Sequence, residues 1–205
     1  MTTQTKEIQS QMTADKAISI LKEGNERFVN ASMTNRDLLE QVKTTSTGQF
    51  PLAAILSCID SRVPAELIFD QGIGDIFSIR IAGNVLNDDI IGSMEFACSM
   101  AGSKVIVVLG HTSCGAVKGA VAGVEAGSLT GLLEKIHPVI DKVKENTGKS
   151  ASDPDFADEV VHLNAEEVAK EITERSEILA EMVQNNEIKI IYAIYSVESG
   201  QVIFK

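Results

Sequence analysis

The chain has no tryptophan, and aromatic residues make up only 4% of its 205 positions, so aliphatic side chains must fill its core. Positive charge is also scarce: 18 Lys and Arg face 29 Asp and Glu, a net charge of −11. Such a field repels polyanions, which argues against nucleic acid or an anionic membrane surface as partner. Small anions stay open, because a local site can oppose the global field. No apolar run approaches the about 20 residues that span a bilayer. The polar stretch 1–12 lacks the apolar middle of a secretory signal, so none is expected there. Cysteine is limited to Cys58, Cys98 and Cys114, an odd number that fits a disulfide framework poorly and points to a reducing, cytoplasmic setting. Repeats, low-complexity tracts and composition breaks are absent too. Residues 1–205 therefore read as a single domain, with a helical arm over about 1–46.

The periodicity that is present alternates between strand and helix. Residues 13–30 carry Ala17, Ile18, Leu21, Phe28 and Val29 at helical spacing behind a Thr13 N-cap. The polar segment before them reads either as an arm ordered by a partner subunit or as a frayed terminus. Helices are also expected over 35–44, 64–69, 88–100, 112–123, 129–146 and 155–185. Strands are expected over 51–57, 76–81, 104–109 and 188–195, with 201–204 as an antiparallel edge after the Ser199-Gly200 turn. Continuous apolar runs such as Val105-Ile106-Val107-Val108 suit strands covered on both faces. Strands alternating with helices imply an α/β fold, a mainly parallel β-sheet with an antiparallel edge strand, flanked by helices. Gly72 and Gly74 make no dinucleotide fingerprint, because the third glycine and the strand-turn-helix context are missing.

Two stretches gather chemistry. Leu56-Ser57-Cys58-Ile59-Asp60-Ser61-Arg62 ends the first strand and places a thiol, a carboxylate and a guanidinium within five residues. Gly110-His111-Thr112-Ser113-Cys114-Gly115 follows the Val105 strand and adds an imidazole and a second thiol. Open α/β sheets bind ligands beyond the carboxyl ends of their strands, so the two stretches converge if these strands are neighbours. Two thiolates and one imidazole match a catalytic Zn2+ set that leaves a fourth position open. Cys114 is expected on the first turn of the next helix, where the amide dipoles favour thiolate. Arg62 can hold Asp60 bidentately and keep it ionised, ready to accept a hydrogen bond from a zinc-activated hydroxide. Released from Arg62, Asp60 can itself become the fourth ligand.

Other readings of the same residues stay open here. A cysteine nucleophile with His111 as base leaves the second thiol unexplained. A structural zinc wants four protein ligands, which Asp60 can complete. Cys98 reads as a small buried hydrophobe, and His137 and His162 as surface residues.

Cys58-x-Asp60-x-Arg62 followed by His111-x-x-Cys114 resembles the signature of the β-class carbonic anhydrases. The match extends through Phe69-Asp70-Gln71-Gly72-Ile73-Gly74-Asp75, Arg80-Ile81-Ala82-Gly83-Asn84, Glu95-Phe96-Ala97 and Val107-Val108-Leu109-Gly110-His111. The resemblance implies reversible hydration of CO2 to bicarbonate and a proton. It implies one Zn2+ per subunit on Cys58, His111 and Cys114, with Asp60 and Arg62 as a catalytic dyad. It places Gln49 as a hydrogen-bonding substrate contact, and Phe77, Ala82, Gly83 and Phe96 around a narrow apolar pocket built partly by a second subunit. It implies a homodimer or homotetramer, with the N-terminal helix wrapping the neighbour.

The type II subgroup binds bicarbonate at a second site through a Trp three residues before the first zinc cysteine. Ile55 stands there in this chain, so that regulatory site is expected to be absent. Relatives with the same site hydrolyse carbonyl sulfide or carbon disulfide, which makes such a hydrolase the nearest rival. A catalytically silent zinc module is the rival of another class, and the intact Asp60–Arg62 pair argues against it.

Overall fold

In the computed structural model, which describes residues 3–205, the chain opens with three helices. These are α1 (Lys6–Ser10), α2 (Ala14–Val29) and α3 (Leu38–Thr45). The alternating part follows as β1 (Ala53–Ser57), α4 (Ala65–Ile68), β2 (Ile76–Arg80), α5 (Asp88–Glu95) and β3 (Val105–His111). Then come α6 (Gly115–Val121), α7 (Ser128–Leu133), α8 (His137–Thr147), α9 (Phe156–Arg175) and α10 (Glu177–Gln184). Strands β4 (Lys189–Tyr195) and β5 (Val202–Phe204) close the chain.

Among the described residues the strands form one sheet in the order β2-β1-β3-β4-β5, parallel except for β5. From β1 the chain steps to one side for β2 and to the other for β3. The carboxyl ends of β1 and β3 thus meet at a topological switch point, where such sheets bind ligands. Ser57 lies opposite Leu109 in the register, so Cys58 and His111 leave the sheet side by side. Both faces are covered. Ala54, Leu56, Ile106 and Val108 pack into the larger core with α6, α8 and α9. Ala53, Ile55, Val105, Val107 and Leu109 pack into a second core with α2 and α4. Burial on both faces is why these strands read as continuous apolar runs.

Several elements differ from the sequence reading, each for a local reason. The expected helix 155–185 is two helices. Ser176 takes extended backbone angles, accepts from the Leu179 amide at 3.1 Å and donates to Glu95 at 2.6 Å. Those side-chain bonds compete with the helix and start a new one. The segment 129–146 divides at a 3-10 turn, Glu134–Ile136, just before Pro138 at the head of α8. The helix from Asp88 ends in a π turn, Phe96–Met100. Pairing with β4 carries β3 on to His111, and the Thr112 amide donates to Tyr195 at 2.9 Å. Helix α6 therefore begins only at Gly115, and Cys114 is its cap rather than a residue of its first turn.

Before residue 13 the described residues include the short helix α1. Gln9 donates to the Pro51 and Ala101 carbonyls at 2.9 and 2.8 Å, tying α1 to its own chain. Met1 and Thr2, the start of the expected arm, lie outside the described residues. The rest of the arm is anchored by Asp70, whose carboxylate binds Arg27 at 2.5 Å, Arg36, and the amide and hydroxyl of Thr34.

Candidate metal centre

The sheet delivers three soft donors to one spot. Cys58, His111 and Cys114 are buried, and their ligand atoms all lie within 4.8 Å of one another. His111 has no exposed surface, and its Nδ1 lies 3.0 Å from the Thr112 carbonyl. An Nδ1–H donating to that carbonyl leaves the Nε2 lone pair facing the two sulfurs. Nε2 is buried without a hydrogen-bond partner, a condition that native interiors rarely tolerate. An unpartnered imidazole nitrogen beside two thiols fits a thiophilic metal such as zinc.

The sulfurs are held from several sides. Cys58 Sγ accepts from the Gly83 amide at 3.3 Å. Gly83 takes φ +67°, and a Cβ there would stand 2.9 Å from Ile136 Cδ1. Glycine takes this backbone without strain, whereas a Cβ would require Ile136 to shift. Asn164 on α9, itself buried, donates to the Gly83 carbonyl at 3.0 Å. The Cys58 thiol is pushed well below its ordinary range, first by a hydrogen bond from Cys114, and further by His111 and the Gly83 and Asp60 amides, against burial. Cys114 is correspondingly pushed up by the neighbouring Cys58 sulfur and by burial. Cys98 stands apart, its thiol pushed up to about 12 by burial against a smaller lowering from Lys104.

Asp60 and Arg62 form the expected fork. Arg62 Nε reaches Asp60 Oδ1 at 2.9 Å and Nη2 reaches Oδ2 at 2.7 Å, while the Arg62 amide adds a third bond at 2.9 Å. The guanidinium holds the Asp60 carboxyl far below the usual range. Asp60 Oδ2 lies 3.9 Å from His111 Nε2, so the carboxylate looks onto the sulfur and imidazole donors. Arg62 also donates to the Ser113 carbonyl at 3.3 Å, which joins the two chemistry-bearing turns.

Beside the donors lies an apolar cavity of about 380 Å³ lined by Cys58, Asp60, Ala82, Ala116, Val124 and Leu129 among others. Of the five expected pocket residues, Ala82 lines it and Gly83 touches Cys58. Gln49, Phe77 and Phe96 are not among its lining. Phe77 and Phe96 pack edge to face at 6.1 Å, Phe96 remains half exposed and Gln49 is exposed.

Sequence reasoning assigned no role to several residues that shape the site. Arg80 donates to the carbonyls of Cys58 and Asp60 at 3.0 and 2.6 Å and so sets the turn between them. It sits inside the quoted Arg80-to-Asn84 motif, which was a signal. Asp158, Asn164, Val124 and Leu129 carried none. No helix among the described residues is long and apolar enough to cross a membrane.

A mainly parallel sheet with helices on both faces and a Cys-His-Cys group that could hold a metal ion at its switch point defines the chain as an α/β protein with a candidate metal centre. Within that class, residues 53–202 match the family model described as carbonic anhydrase. The chain is 36% identical over 191 residues to carbonic anhydrase 2 of Mycobacterium tuberculosis, covering 90% of this chain and 89% of that one. Among solved structures it is similar to a β-carbonic anhydrase of Aspergillus fumigatus, with 27% identity, a TM-score of 0.74 and coverage of 93% and 89%. The fold is also shared with one of two tetrameric β-carbonic anhydrases from Sordaria macrospora, at 22% identity, a TM-score of 0.73 and coverage of 79% and 84%. The chain belongs to the β-carbonic anhydrase family.

Proposed function

We infer that the protein catalyses the reversible hydration of CO2 to bicarbonate and a proton, with one zinc ion per subunit held by Cys58, His111 and Cys114. The observation that carries this reading is the convergence of those three donors beside an Asp60 forked by Arg62. Zinc bound there supplies the Lewis acidity that brings the pKa of a water to about 7.

The chain's own residues divide the remaining work. Asp60, kept ionised by Arg62, accepts a hydrogen bond at Oδ2 from the attacking oxygen and turns its lone pair toward CO2. The apolar wall of Ala82, Val124 and Leu129 suits a small linear apolar molecule and excludes competing water. The Gly83 amide donates to Cys58 Sγ and draws charge from that sulfur, which would strengthen a metal held there as an acid. Gln49, Phe77 and Phe96 meet substrate in a homodimer or tetramer, whose second subunit closes the pocket. With Ile55 in place of tryptophan, the second bicarbonate site is absent. A cytoplasmic location agrees with three unpaired cysteines.

Metal analysis, sizing and stopped-flow CO2 hydration on one preparation test the reading, with carbonyl sulfide assayed beside CO2. Asp60→Asn is expected to lose about 10²-fold or more in kcat while keeping its zinc, in line with a lost positioned hydrogen-bond acceptor. Equal rates in wild type and variant would remove Asp60 from the mechanism. A zinc-loaded wild type faster on carbonyl sulfide than on CO2 would replace the function itself.

A further inference from the structure

Ser113 sits between two of the three metal-facing donors, and its backbone is in the left-handed region at φ +56°. A non-glycine residue there is strained and persists only when its surroundings fix it. Two bonds do so. The Ser113 amide donates to Asp158 Oδ1 at 3.0 Å, across 45 residues of sequence. The Ser113 carbonyl accepts Arg62 Nη2 at 3.3 Å. Asp158 is half-buried in the first turn of α9, a helix packed against β3 through Val160, Val161 and Ala165. A carboxylate on a rigid helix thus grips the turn that carries His111 and Cys114, and the other side of that turn receives the arginine that orients Asp60.

We propose that Asp158 is a positioning residue of the metal centre. It holds the Ser113 peptide so that His111 and Cys114 converge on the metal while the Ser113 carbonyl stays aimed at Arg62. It touches neither substrate nor metal; it acts through one backbone amide. The proposal rests on the zinc-hydratase reading above for its kinetic arm, and on the Cys58–His111–Cys114 geometry alone for its metal arm.

The test uses the full-length zinc-loaded protein with Asp158→Ala and Asp158→Asn. Asparagine keeps an oxygen that can accept from the Ser113 amide, whereas alanine does not. Three quantities are read: the zinc dissociation rate against a chelator, the visible spectrum after cobalt substitution, and kcat and KM for CO2. Losing an outer-shell partner typically costs about 10- to 100-fold in metal affinity or activity. Asp158→Ala is expected to release zinc about 10-fold faster or more, to shift the cobalt bands, and to lower kcat more than it raises KM. Asp158→Asn is expected to recover most of each loss. The proposal is overturned if the alanine variant melts lower but keeps wild-type zinc release and cobalt bands, because Asp158 then only stabilises α9. Equal losses in both variants overturn it too, because charge and not the amide contact is then responsible. If the wild type hydrates no CO2, the functional reading fails, and the zinc-release and cobalt measurements still decide this one.

Discussion

Replacing Asp70 by Asn removes one charge from the place where the N-terminal arm joins the sheet. The Asp70 side chain is fully buried, and Arg36 and Arg27 beside it are 7% and 23% exposed. Asparagine keeps the shape and an acceptor for Thr34 but leaves two guanidinium groups against a neutral amide. Breaking one partner out of a buried ion pair costs about 3–5 kcal/mol. Arg27 can turn partly to water, so the lower end applies, about 3 kcal/mol. The lowered pKa of the Asp70 carboxyl offers a second route to the same quantity. Burial alone would raise the Asp70 carboxyl; Arg36, Arg27 and Thr34 outweigh burial and hold it at about 2 instead of 3.8. At 1.36 kcal/mol for each pH unit, that difference is worth about 2.5 kcal/mol, in agreement with the first route. Because the folded value lies below the unfolded one, the unfolded chain binds this proton first. The stabilisation is complete above about pH 4 and is lost as pH falls towards 2. Urea unfolding of wild type and Asp70→Asn at saturating zinc, repeated from pH 7 downward, reads the difference at each pH. Any acid release of zinc affects both proteins and cancels in the difference. A gap near 3 kcal/mol at pH 7 that shrinks below pH 4 is expected. A gap under about 0.5 kcal/mol, or one that stays constant into acid, would refute the reasoning.

Three further outcomes concern Gly83, the metal donors and Cys98. Gly83→Ala places a Cβ 2.9 Å from Ile136 Cδ1 at φ +67°, and left-handed backbone alone costs a β-carbon-bearing residue about 1–2 kcal/mol. Its melting temperature and zinc content should both fall, and a variant that matches wild type in both contradicts the tight approach to Cys58. Stripping the metal should lower the melting temperature reversibly, since a ligand at 1,000 times its Kd adds about 4 kcal/mol to stability; identical calorimetric melts with and without zinc would count against the Cys-His-Cys group as a metal site. Cys98, 2% exposed with its thiol pushed up to about 12, should resist alkylation in the native protein at pH 8 and react only after unfolding. Mass mapping of labelled peptides would expose an error at once, as Cys98 modified under native conditions.

The parts legible in sequence were those that leave a periodic or compositional trace. Val105 to Leu109 reads as a strand because both faces of β3 are covered, and the same burial puts His111 at its end. Cys58, Asp60, Arg62, His111 and Cys114 were legible because soft ligands and charged neighbours at short spacing have few other uses. The boundaries failed where a single polar side chain overrides a pattern. Leu179 and Ile172 keep helical spacing across Ser176, yet its hydroxyl bonds to Leu179 and Glu95 end one helix and begin another. The contacts that organise the site failed for a related reason. Asp158 and Asn164 belong to a helix whose acidic residues read as its solvent side, and no spacing rule distinguishes a solvated aspartate from one that holds a backbone amide 45 residues away. Such a contact depends on where α9 crosses β3, which is a property of the packed layers rather than of any window of sequence. The candidate donors could therefore be picked out before the fold was known, whereas the contacts of Asp158 and Asn164 could be found only once α9 had been packed beside the Ser113 turn and the Gly83 peptide.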